Sequence, residues 1–174
     1  MPAPSHAPFN NDGPAHISGE KTPGCFPLSA SGRSAPLCVC AGDFPGVHRV
    51  AQFLRDDIGR VTGAEPELLM DALPSGREIV LIGTLGRNPL IDRMAYAGAF
   101  DAADLEGKRE TFVRQEVRSP APDVDRALVI AGSDKRGTLY GMLDLSRRIG
   151  VSPWHWWADV PVHRRPELYV RPER

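Results

Sequence analysis

Residues 127–150 read ALVIAGSDKRGTLYGMLDLSRRIG, and this stretch decides the fold. Ala127–Ser133 is apolar and β-branched, which reads as a strand. It runs through Gly132-Ser-Asp-Lys-Arg-Gly137-Thr138 directly into a helix from about Arg136 to Ile149, stopped by Gly150. A strand-to-helix turn of this kind aims free backbone N–H groups and the positive end of the helix dipole at whatever lies above it, which suits an anion. Gly132 and Gly137 even carry the G-x4-G spacing of a phosphate loop. The next two residues of such a loop are Lys and Ser/Thr, whereas here they are Thr138 and Leu139, with the lysine inside the turn at Lys135. Nucleotide binding therefore fails at the positions that carry its chemistry. The structural alternative is that Asp134 caps the helix, Gly137 allows close helix–sheet packing, and Lys135 and Arg136 are solvated.

Upstream, APLCVCA (residues 35–41) reads as a strand, followed by the turn GDFPG. Val47, Val50, Leu54, Ile58 and Val61 then fall on one face of a helix that Thr62–Gly63 ends. A short strand at Glu67–Met70 and a turn at Leu73–Arg77 precede EIVLIGT (residues 78–84), whose unbroken apolar character predicts a strand covered on both faces. Pro89–Ala97 reads as a second helix. Thr111–Val117 alternates apolar and polar residues as a half-exposed strand does, and SPAPDVD reads as a proline-rich turn. The order β-α-β-β-α-β-β-α predicts an α/β domain with one mixed sheet of about five strands and three helices.

Order is expected from about residue 26, after a Pro/Gly/Ser-rich tail over residues 1–25. The α/β domain is expected over residues 26–151 and a Trp-rich linker over residues 152–174. Lys+Arg 21 against Asp+Glu 22 gives a net charge of −1, no footprint for nucleic acid or an anionic membrane. No apolar run reaches the roughly 20 residues of a membrane-spanning helix. MPAPSHAP lacks the basic start and apolar core of a signal peptide, so the sequence as written points to the cytoplasm, and a leader at a different start would redirect it. Cys25, Cys38 and Cys40 have no metal-ligand spacing and read as apolar cysteines, so no metal is expected.

The contiguous stretch GSDKRGTLYGMLDLSRRIGVSPWHWWADVPV (residues 132–162) closely resembles the end of the N-terminal domain of glycoside hydrolase family 115, the xylan α-1,2-glucuronidases. The resemblance extends upstream through VDRALVIAGSDKRGT, LEGKRETF, LIGTLGRNPLIDR, the helix ending RVTG and the strand near Ala35, covering roughly residues 26–165. It implies a non-catalytic α/β domain preceding a TIM barrel, similar to those of family 67 and hexosaminidase-type enzymes. It also implies an inverting glycosidase that removes 4-O-methylglucuronic acid from xylan without an organic cofactor. The expected partner is that barrel, which would begin where this sequence stops at Arg174, with glucuronoxylan or its glucuronate as ligand of the intact enzyme. The family's acids lie mainly on the barrel, so no catalytic residue is carried over here, and the chain alone is not expected to hydrolyse substrate.

Two groups remain as candidates. Trp154, Trp156 and Trp157 sit within SPWHWWADVPV (residues 152–162), past the last long helix. They suit domain docking or stacking on a sugar; in an extended segment Trp154 and Trp156 would share a side. Left without a partner they would favour self-association. Asp134, Lys135 and Arg136 form the second group: the cations suit a glucuronate carboxylate or the domain boundary. Asp144 reads as a helix-surface charge, Asp159 as a turn residue, and His155 as a polar interface residue. A different role remains open: a free-standing polysaccharide-binding module built on the tryptophans.

Overall fold

A computed structural model describes residues 17–74 and 76–171. In chain order the elements are β1 (Ile17–Ser18), β2 (Phe26–Ala30), β3 (Arg33–Ser34), β4 (Leu37–Val39), α1 (Pro45–Thr62), β5 (Leu68–Met70), β6 (Gly76–Thr84) and α2 (Pro89–Tyr96). After a 3-10 turn at Ala102–Asp104 come β7 (Phe112–Ala121), β8 (Val124–Gly132), α3 (Lys135–Ile149), the single turn α4 (His155–Ala158) and β9 (Leu168–Val170). The expected α/β fold is present: five strands form a mixed sheet in the order β5-β4-β6-β8-β7, parallel except for the antiparallel pair β7–β8.

The apolar run of β6 explains its central place. Val80 and Ile82 face α1 and α3 in one core, while Ile79 and Leu81 face Ile91 and Met94 of α2 in another. On α1, Val47, Leu54, Ile58 and Val61 are buried as the periodicity predicts, and Gly63 closes the helix in the left-handed region at φ 79° with its N–H on the Gly59 carbonyl. Asn88 caps α2 by accepting from the Leu90 and Ile91 N–H groups. Cys38 is buried, and that burial pushes its thiol pKa up to about 12, as an apolar packing role requires. No described helix is long and apolar enough to cross a membrane.

The structure differs from expectation at three places. SPAPDVD is not simply a turn: β7 continues to Ala121 and β8 begins at Val124. A register shift between Arg118 and Ala121 accommodates Ser119 at φ 49° and Pro120, which an edge strand tolerates because its outward N–H has no partner to lose. The tryptophan segment is not extended but makes one helical turn, with the Trp157 and Ala158 N–H groups on the Trp154 carbonyl.

The third difference is a second, antiparallel sheet in the order β1-β9-β2-β3. Its strand β9 lies beyond the tryptophans and pairs with both β1 and β2, through Ile17↔Val170 and Phe26↔Val170. Paired structure thus occurs within stretches expected as tail and linker; residues 1–16 lie outside the described ones. Phe26, Leu28, Leu168 and Val170 enter the same core as α1 and α3. Arg126 of β8 ties the sheets together, donating to the Gly24 and Cys25 carbonyls and to Glu116 while lying 5.6 Å from the Phe26 ring centroid.

Candidate functional site

Asp134 is the N-cap of α3. Its Oδ1 accepts from the Gly137 N–H at 2.8 Å and its Oδ2 from the Glu110 N–H at 3.0 Å. These two donors, Gly137 first, hold its carboxyl below the usual carboxylate range. Gly137 is required at its position because a Cβ there would lie 2.1 Å from the Thr111 carbonyl oxygen. Arg136 is exposed and pairs with Glu110 at 2.5 Å, so its fork is partly engaged at home. Lys135 is exposed beside α1, its Cδ 3.8 Å from where a Gly46 Cβ would stand.

Beneath this turn lies a polar cluster that sequence reading passes over as part of GDFPG. Buried Asp43 accepts from the Thr84 N–H (2.7 Å), the Thr84 hydroxyl (2.8 Å) and the Phe44 N–H (2.7 Å). The Thr84 and Thr138 hydroxyls are 2.8 Å apart. Every member is hydrogen-bonded, so the cluster locks the loops after β4, β6 and β8 to one another.

Trp154 and Trp157 stand at the other end of the domain, 61% and 84% exposed. Neither indole is enclosed by the domain's own side chains. The side chain of Trp156 lies outside the described residues. His155 Nδ1 is 2.9 Å from the Val160 carbonyl, which closes the turn on itself. Asp159 adopts the left-handed region at φ 48°, as its turn role predicts. The segment is anchored by Arg165, whose N–H donates to the Val61 carbonyl at the end of α1 and whose guanidinium donates to the Ile149 carbonyl at the end of α3.

The two groups are not brought together. Asp134, Lys135 and Arg136 begin α3, and the tryptophans follow its C-terminus; fifteen helical residues separate them by roughly 21 Å along the axis. One small ligand cannot touch both.

A groove of about 690 Å³ runs along β7 between α3 and the 3-10 turn. Its floor holds the network around Asp144, which is not a simple surface charge: it accepts from Arg114 at 2.7 Å, Arg148 at 2.6 Å and Arg147 at 3.3 Å. Burial pushes the Asp144 carboxyl up, but Arg148 and Arg114 more than offset this and hold it below the usual range. Among the described residues no group of three or more His, Cys, Asp or Glu side chains could hold a metal ion.

With the fold and its two ends described, a counterpart is recognisable. The chain is similar to BtGH115A. That protein is a family GH115 4-O-methyl-α-glucuronidase with specificity for decorated arabinogalactans; the likeness has a TM-score of 0.62 at 30% identity. It covers 85% of this chain and 17% of that one, so the domain is glycoside-hydrolase-related and spans a small part of BtGH115A. CpGH84D shares the fold alone, with a TM-score of 0.50 at 10% identity over 90% of this chain and 22% of its own. No protein-family model and no curated protein matches the chain.

Proposed function

We propose that this chain is the N-terminal accessory domain of a glycoside hydrolase that removes (4-O-methyl)glucuronic acid from a plant polysaccharide. It packs against the catalytic barrel that follows in the parent enzyme and supplies no catalytic acid of its own. The observation that carries this reading is the likeness to BtGH115A over 85% of the chain at 30% identity. The stretch that carries the sequence resemblance, residues 132–162, supports it independently of the fold. The polysaccharide is glucuronoxylan by the family resemblance and decorated arabinogalactan by analogy with BtGH115A.

In this reading the turn bearing Trp154 and Trp157 is a docking anchor, since large exposed indoles on a backbone-fixed turn lose little entropy when covered. Lys135 and Arg136 offer charge to a uronate or to the barrel rim, at the opposite end of α3. The test mixes the purified chain with the part of BtGH115A outside the matched region and follows complex formation by sedimentation. The chain alone should release no uronic acid from either polysaccharide, and the mixture should form a complex. Uronic acid release by the chain alone would refute the accessory role.

The exposure of Trp154 and Trp157 also favours a second reading, a module that binds polysaccharide by itself through stacking on pyranose faces. Affinity electrophoresis in glucuronoxylan and arabinogalactan gels distinguishes the two: retardation that Trp157→Ala abolishes selects the binding module.

A further inference from the structure

We infer that Arg165 is the positioning residue of the tryptophan turn: its guanidinium clasps the base of the loop that carries Trp154 and Trp157 and holds the indoles in one orientation. The inference rests on the docking-anchor reading of that turn and deepens it, and its first readout needs this chain alone.

Three observations carry it. First, Arg165 bridges the ends of two helices. Its backbone N–H donates to the Val61 carbonyl at 2.8 Å and its Nη2 to the Ile149 carbonyl at 2.7 Å. Both carbonyls lie in the last turn of a helix, beyond reach of that helix's own N–H groups, and a cation there suits the negative end of the helix dipole. The bond to Ile149 joins the entry and the exit of residues 150–164 and closes them as an Ω-loop. Second, Gly150 leaves room for the clasp. A Cβ there would stand 2.7 Å from Arg165 Nη2, and the same glycine ends α3 in the left-handed region at φ 107°. Third, the loop takes its shape from within and its placement from below. The Ser152 and Trp154 carbonyls accept from the His155, Trp157 and Ala158 N–H groups, which sets the curl of the turn. Its feet are set in the domain, with Val151 buried in the core beside α1 and α3 and Val162 packed against that core. Between the feet, Pro153, Trp154 and residues 157–159 are exposed. Short bonds inside a loop fix its curl but not how it sits on the domain; a bond across its base fixes both ends to one helix frame.

Trp154, Trp156 and Trp157 are the only tryptophans of the chain, so tryptophan emission reports on this turn alone. Time-resolved anisotropy on the full chain, in dilute solution and where melting curves show the domain folded, is the first measurement. Arg165→Ala should roughly double the amplitude of fast local depolarisation, a signature that a general loss of stability does not produce in the folded state. Arg164→Ala, exposed and one residue away, should leave it unchanged. The second measurement is affinity for the part of BtGH115A outside the matched region. Arg165→Ala should weaken that complex about tenfold, because mobile indoles must be ordered on binding. Unchanged anisotropy in Arg165→Ala, or an equal change in Arg164→Ala, overturns the inference. So does lost tryptophan order with undiminished affinity for a complex that the parent chain forms. Lost order where the parent chain itself forms no complex leaves the clasp standing and overturns the docking reading instead.

Discussion

Asp144 shows how a single carboxylate can be misjudged from its own helix. Arg147 and Arg148 are visible in the sequence at neighbouring helical spacings, but Arg114, thirty residues earlier on β7, is not. Only the paired register of β7 and the packing of α3 bring that guanidinium to Asp144. Because the folded carboxyl titrates below its unfolded value, its stabilisation is complete above the unfolded value of about 4 and is lost as pH falls through the lower folded value. Asp144→Asn should therefore lower the urea midpoint at pH 7 and flatten its decline below about pH 4, as denaturation curves across that range would record. Gly137 makes the opposite point. Helix propensity alone would favour Gly137→Ala by about 1 kcal/mol, yet the added methyl would collide with the Thr111 carbonyl. We expect a net destabilisation of about 2 kcal/mol or more, measured by urea unfolding. That glycine's role in close packing was readable in the sequence, because a glycine in the first turn of a helix that follows directly on a strand lets the two elements approach closely.

At the scale of elements, legibility followed length. The long periodic face of α1, the apolar runs of β6 and β8, and the caps Asp134 and Gly150 all announce themselves within one window of sequence. The second sheet does not, because β1 and β3 have two residues each and β9 three, too few to show any period. Leu168, Tyr169 and Val170 are nonetheless all buried, and at about 1.5–3 kcal/mol per buried large side chain their loss rivals the whole stability of a domain this size. A chain ending after residue 166 should lose its cooperative thermal transition and bind hydrophobic dye. Arg165→Ala, which removes only the bond to the end of α3, should cost about 1 kcal/mol and speed exchange near Gly150. The turn at the tryptophans is not legible as a helix because four residues are too few to show a period; hydrogen bonds to Ser152 and to the Trp154 carbonyl wind it.

For the whole molecule, the placement of the tryptophans and of the Lys135–Arg136 turn at opposite ends of α3 keeps the two candidate groups apart. Changes at one end should leave the other unaffected. Trp154 and Trp157 both expose most of their surface on one short turn, a feature that favours association, so the chain should self-associate as its concentration rises. Sedimentation velocity on the Trp157→Ser variant should show a shift toward monomer, while Lys135→Ala should sediment like the parent chain.

The position of β9 between β1 and β2 bears on how the protein is made. As the ribosome releases the chain from its N-terminus, the five-stranded sheet can close once β8 and α3 have emerged. The first two strands of the smaller sheet must then hold an unfilled slot until the closing strand arrives. During that interval Phe26 and Leu28 lack their final cover, and the nascent chain passes through a stage in which it is most vulnerable to chaperone capture or to insertion of a strand from a neighbour.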